Sequence, residues 1–190
     1  MGRKRTIGQS ELMRAIEAVA RREGLEGLSI DAVAKEAGIS KSSVLYDCGS
    51  KSALLAEFIR HQLEVQAQGH EAALSRHQGS PSPFFRAMID NFRSAPSDEE
   101  ISVAMLVCAG VGEHASCREI MRTKIAADTE RIIEEAADKR ETLRALLALH
   151  GLAFLEYFGF CRFDDATRNQ LLDDLVAVAE KRGPAAGENS

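Results

Sequence analysis

Apolar residues recur along this chain at three- and four-residue spacing, the period of helices that bury one face, and they predict an all-α protein. The first such run, from Ser10 to about Glu23, puts Leu12, Ala15, Ile16, Val19 and Ala20 on one side and stops at Gly24. Leu25 and Leu28 are expected to tuck the connection against the next helices. Ile30, Val33, Ala34 and Ala37 then stripe a short helix that Ser29 caps and Gly38 ends. Ile39 points inward, and Ser40 caps a third helix, Lys41 to about Asp47. That helix keeps Val44 for the interior and shows small hydroxyls and a cation outward. Ser50 caps a long fourth helix carrying Ala53, Leu54, Phe58 and Leu63 to about His77, a natural lever between the small head and the rest.

The clearest break is Gly79-Ser80-Pro81-Ser82-Pro83, which cannot continue a helix. A helix from Phe84 to Arg93 comes next, and Ser94 to Asp98 breaks it. Ser97 with Glu100 has the spacing of a capping box opening the next helix, near Asp98–Ser116. That segment is apolar on most sides, so it is expected at the centre of a larger core. Further helices are predicted over about Cys117–Lys139, Glu141–Cys161 and Ala166–Arg182, with Gly183–Ser190 as a frayed tail. The last two carry more apolar surface than one core needs. Leu146, Leu149, Leu152, Phe160, Leu171, Leu175 and Val178 therefore become a candidate self-association face, two copies forming a four-helix bundle; packing within one chain is the plainer alternative.

Composition narrows the function. The 190 residues carry a formal charge of −5, unevenly spread: positions 1–60 hold 10 Lys/Arg against 8 Asp/Glu, and the remainder 14 against 21. A mildly basic head on an acidic body suits a protein that offers one end to phosphate, although ordinary surface variation gives the same asymmetry. Arg3, Lys4 and Arg5 form a basic arm able to reach a duplex backbone or minor groove, or simply a solubilising terminus. No apolar run approaches the roughly 20 residues that span a bilayer, and MGRKR lacks the apolar stretch of a secretory signal. The four cysteines show no CxxC pair and no zinc-site spacing, so reduced thiols, no metal and no cofactor, and a cytoplasmic setting are expected. Enzymes have the least support. No Ser-His-acid order, paired carboxylates or phosphate-cradling glycine loop is apparent, and the five histidines are scattered.

The organising stretch is SIDAVAKEAGISKSSVLYDCGSK, residues 29–51, two short helices about a glycine turn. This is the layout of a helix-turn-helix, whose second helix enters a DNA major groove. With the adjoining SALL it resembles the TetR family of transcriptional regulators. Ser29, Ala34, Ala37, Gly38, Ile39, Ser40, Ser50, Lys51 and Leu54 match that family's run without a gap. The resemblance implies a DNA-binding head over 1–56, a helical effector-binding and dimerising body over 57–182, and a tail over 183–190. It implies a homodimer on a palindromic double-stranded operator, released by a small apolar or amphipathic effector. Lys41, Ser42 and Ser43 would lie nearest base edges. Ser29, Ser40, Tyr46, Ser50, Lys51 and the arm (Arg3, Lys4, Arg5) would hold phosphates.

The sequence departs from the family at three places. Ser42 replaces a frequent glycine, the family's Leu-Tyr falls on Val44-Leu45, and Cys48 replaces the aromatic at the end of the reading helix. Tyr46 then either bonds a phosphate or packs in place of that aromatic, and Cys48 near DNA invites a redox reading. An effector cavity would draw on Phe84, Phe85, Met88, Phe92, Met105, Cys108, Met121, His150, Phe154 and Phe158, aromatic and methionine side chains that adapt to apolar ligands; core packing is the plainer role for each. The rival reading is a helical small-molecule sensor or adaptor without DNA binding.

Overall fold

The structure is a computed structural model, and it describes residues 8–180. The arm at Arg3, Lys4 and Arg5, the tail from Gly183 and the side chain of Leu25 lie outside the described part. The described residues form nine helices and no strand: α1 (Gln9–Gly27), α2 (Ile30–Ala37), α3 (Lys41–Cys48), α4 (Lys51–Arg76), α5 (Pro83–Asp90), α6 (Asp98–Glu113), α7 (Ala115–Glu135), α8 (Lys139–Tyr157) and α9 (Asp165–Glu180). They divide into two compact units that ignore chain order. The first runs to Val65 and takes up Ser102–Thr123; the second holds Gln66–Ile101 and the chain from Lys124 onward.

In the first unit, local chemistry sets the helix ends. Gly24, at φ 71° and ψ −177°, breaks the helical geometry near the end of α1. The Ser29 hydroxyl accepts from Ala32 N at 3.1 Å and opens α2. Gly38 closes α2 in the left-handed region at φ 65°, where glycine has no Cβ to clash. The Ser40 hydroxyl accepts from Ser43 N at 3.1 Å, and that of Ser50 from Ala53 N at 3.1 Å, opening α3 and α4. The interior is built from Leu12, Ile16, Val19, Leu28, Val33, Val44, Leu54, Leu55 and Phe58. Cys48 is buried there too, so it fills the place of the missing aromatic. Leu106 of α6 and Cys117 of α7 belong to the same core, and the Ser52 and Ser116 hydroxyls meet at 3.1 Å.

In the second unit, Ser97 and Glu100 form the expected capping box: Ser97 N donates to the Glu100 carboxylate at 2.8 Å, and Glu100 N donates to the Ser97 hydroxyl at 3.2 Å. Phe84, Phe85, Met88 and Ile89 of α5 pack with Ile132 of α7, Leu146, Leu149 and Leu152 of α8, and Leu172 and Val176 of α9. A buried ion pair, Arg168 with Glu156, joins the start of α9 to the end of α8 at 2.7 Å.

Two expectations are corrected. The apolar segment from Asp98 is not enclosed: within α6 only Leu106 and Gly110 are buried, and Met105 and Cys108 are exposed. One side of the helix completes the first unit's core through Leu106, with Val103, Val107 and Val111 partly buried against it. Leu146, Leu149 and Leu152 face inward and are buried in the second unit's core, so they present nothing to a second copy. Periodicity locates an apolar face without saying which neighbour covers it.

Candidate nucleic-acid interface

Helix α3 is held from one side. Val44 and Cys48, four residues apart, share the buried face. Lys41, Ser42, Leu45 and Tyr46, related by three- and four-residue steps, make a continuous exposed face, with Ser42 and Tyr46 opposite the buried pair and Lys41 and Leu45 at its border. Tyr46 is 88% exposed, which decides between its two expected roles as far as packing goes: it does not replace the missing aromatic. Leu45 is 39% exposed on the same face.

Hydrogen bonds sort the candidate contacts. The Ser40 hydroxyl caps α3 and also lies 2.9 Å from the Ser42 hydroxyl and 2.8 Å from that of Ser43. Three of the predicted contact residues are therefore one linked hydroxyl cluster at the helix start. Ser43 is half-buried and Ser42 stands outward. Ser29 and Ser50 spend their acceptor oxygens on caps, leaving each hydroxyl proton to donate. Lys51 is half-buried at the start of α4, beside Ser50.

The single cation of α3 is engaged. Lys41 Nζ sits 2.9 Å from Asp31 Oδ2, a carboxylate in the first turn of α2. Both side chains are more than half exposed, so the pair adds little to stability, yet it cancels charge on the exposed face of α3. The sequence pattern does not single out Asp31, because the partners are ten positions apart and their proximity depends on the turn at Gly38. A second such pair, Arg22 with Glu36 at 2.9 Å, joins α1 to α2.

The ten residues proposed for an effector fall into both units. Met105, Cys108 and Met121 belong to the first; Phe84, Phe85, Met88, Phe92, His150, Phe154 and Phe158 belong to the second. Phe84, Phe85 and Met88 are buried, Phe92 and Phe158 half-buried, and His150 and Phe154 exposed. Around Phe84 the structure brings in residues the sequence did not single out. Its ring meets the His70 ring at 4.3 Å between centroids and the Arg131 guanidinium at 4.2 Å. Its N–H donates to Glu135 at 2.8 Å.

His70 Nε2 is buried without a hydrogen-bond partner. Burial holds His70 below the ordinary imidazole value, with the Asp128 carboxylate opposing. Its ring is thus favoured in the neutral form, able to donate from one nitrogen and accept at the other. The spacing of Lys124, Asp128, Arg131 and Glu135 on α7 marks this charged face in the sequence, but nothing local links it to His70. Burial raises the Cys117 thiol, away from reactive thiolate.

Of the residues assigned to self-association, Phe160 is 67% and Leu171 39% exposed, and Leu175 and Val178 are half-buried. The Phe160 ring stacks on that of Phe158 at 5.9 Å between centroids and is tilted against that of Phe154 at 5.6 Å. Leu143, Leu147 and Leu155 of α8 are exposed as well. Among the described residues no helix is long and apolar enough to cross a membrane, and no group of three acidic, His or Cys side chains is placed to hold a metal.

Comparison with known proteins gives two family matches. Residues 12–58 match the model described as bacterial regulatory proteins, tetR family, and residues 82–180 match the Tetracyclin repressor-like C-terminal domain. Among solved structures, a transcriptional regulator from Pseudomonas aeruginosa PAO1 is similar at TM-score 0.70 and 18% identity, covering 89% of this chain and 88% of that one. A transcriptional regulator from Rhodococcus sp. Rha1 has TM-score 0.69 and 21% identity over 91% and 96% of the two chains. The multidrug binding protein EbrR complexed with malachite green has TM-score 0.68 and 16% identity over 91% and 98%. At these identities the likeness is one of fold. No curated protein matches the sequence.

Proposed function

Because this chain belongs to the TetR family of bacterial regulatory proteins, we propose that this DNA-binding transcriptional regulator is a cytoplasmic repressor, bound as a homodimer to a palindromic operator and released by a small effector. The observation that carries the reading is α3 itself. Its buried residues Val44 and Cys48 anchor it in a rigid head, and Lys41, Ser42 and Tyr46 are left exposed on one face. A helix held in this way can enter a major groove as a unit.

Lys41, Ser42 and Ser43 then approach base edges, where lysine donates to guanine acceptors and hydroxyls discriminate weakly. Ser29, Ser40, Tyr46, Ser50, Lys51 and the arm take the phosphates, with residues 1–56 as the DNA-binding part and 57–182 as the effector-binding and dimerising part. The second copy docks on α8 and α9 through Phe160 and Leu171, joined by the exposed Leu147 and Phe154. Two heads on a two-fold axis address half-sites one helical turn apart or a longer spacing.

Release requires a ligand that binds one arrangement of the dimer better than the other, since equal affinity shifts nothing. The second unit supplies apolar rings and, at His70, a buried nitrogen without a partner. Such an atom gives a ligand's polar group a hydrogen bond that the protein alone leaves unmade. The EbrR complex with malachite green supports a small-molecule ligand in this fold.

The test is selection of bound duplexes from a random pool by full-length protein, followed by a salt titration. An enriched inverted repeat whose affinity falls steeply with salt is expected. A folded dimer that enriches nothing overturns the reading in favour of a sensor without DNA binding.

A further inference from the structure

Arg, Asn and Gln make the bidentate contacts that separate bases most sharply, and α3, with the sequence KSSVLYDC, contains none of them. Its lysine is paired with Asp31 at 2.9 Å, and its hydroxyls are gathered around the Ser40 cap. Beside them, on the same outward face, stands a leucine. Leu45 lies four residues from Lys41 and three from Ser42, and 39% of it is exposed although the head has a well-filled core of its own. The major groove offers one apolar group that distinguishes a base, the C5-methyl of thymine.

We propose that Leu45 is the specificity-determining residue of α3 and packs on the C5-methyl of one thymine in each operator half-site. This rests on the DNA-reading function proposed above. It divides the work of the helix: Leu45 selects the base, Lys41, Ser42 and Ser43 approach base edges that they discriminate weakly, and Ser40 and Tyr46 fix the register on the backbone. Burying one methyl is worth about fourfold in affinity, so two half-sites together give about 16-fold.

The experiment uses the full chain and the operator obtained by selection. Each thymine is replaced in turn by deoxyuridine, which removes the methyl and keeps every hydrogen-bonding group and phosphate. Fluorescence anisotropy is expected to show a single position per half-site at which the change weakens binding about fourfold. Leu45→Ala, altered in both subunits, binds the thymine operator about 16-fold more weakly, as the wild type binds the operator carrying deoxyuridine at that position in both half-sites, and no longer distinguishes the two. Leu45 is exposed, so the variant keeps its fold, which circular dichroism checks.

Indifference of the wild type to deoxyuridine at every position overturns the proposal. So does a deoxyuridine effect that survives in Leu45→Ala. Either result, on an operator bound with steep salt dependence, leaves the regulator reading in place. Failure to select any operator removes both.

Discussion

Arg168 is among the largest fully buried side chains of the protein, 1% exposed, and its partner Glu156 is 4% exposed. Nε lies 3.2 Å from both carboxylate oxygens, and Nη2 lies 2.7 Å from Oε1. Nη2 also donates to the Phe163 carbonyl at 2.8 Å, and Nη1 to Asp165 at 2.7 Å. Every guanidinium nitrogen thus has an acceptor, and the turn from α8 to α9 is wound around the pair. Removing one member of such a pair leaves a buried charge without its counter-charge, at a cost of about 3–5 kcal/mol. For a chain of this length each kcal/mol moves Tm by about 2–4 °C, so Glu156→Ala and Arg168→Met are each expected to lower Tm by about 6–20 °C. Replacing both members by apolar residues removes the two desolvation costs together, so Glu156→Leu/Arg168→Met recovers most of the loss. Urea and thermal denaturation of the two single variants and the double provide the cycle. Single variants within about 1 kcal/mol of wild type, or a double variant whose loss equals the sum of the singles, would refute the reasoning.

Asp31→Asn releases Lys41 and is expected to raise affinity for a scrambled duplex, with a salt slope steeper by up to about one phosphate contact; an unchanged slope removes the masking role. Because that pair is exposed, the melting temperature should hardly move. Gly110→Ala is expected to stabilise by about 0.5–1 kcal/mol, since a helical glycine costs backbone entropy and the new Cβ would meet Ile59 Cδ1 at 3.5 Å and Cys117 Sγ at 3.8 Å, ordinary contact distances; a lower urea midpoint would show the site too tight. Burial keeps His70 below its ordinary value of 6.5, Asp128 opposing and Lys124 and Arg131 reinforcing. The unfolded chain therefore takes up the proton first, and stability is lost as pH falls from about 6.5 towards the lower folded value. His70→Gln should flatten that part of the stability–pH curve, and an unaltered curve would assign the loss elsewhere.

The features legible in the sequence are those decided within one turn of helix. Ser29, Ser40 and Ser50 cap as expected, Gly38 closes α2, and the Ser97–Glu100 box forms, because each needs only partners about three or four residues away. Asp138, which caps α8 through Arg140 N and Glu141 N, has the same local chemistry; it was hidden because the apolar pattern begins later. What periodicity cannot decide is which neighbour an apolar face meets. Leu149 and Leu147 are both leucines of α8, one fully buried and the other 69% exposed, and the difference depends on α5 and α9 packing on one side only. The same limit hid Asp31 from Lys41 and His70 from Phe84. For the candidate site, residue types and spacing located helix α3 and its caps, whereas the linked hydroxyls and the exposed Leu45 emerge only from its orientation.

The head's core has a consequence for the order in which the protein is made. Phe58 is among its innermost residues, yet Leu106 and Cys117 belong to the same core, with Val107, Ile120 and Met121 packed against it. A ribosome adding about 5–20 residues per second delivers that second instalment some 3–12 seconds after the first. The part of the chain that leaves the ribosome earliest therefore waits for residues up to Met121 before its core is complete. A nascent chain halted between the two instalments carries α3 but lacks the residues of α6 and α7 that complete the core to which Val44 and Cys48 belong.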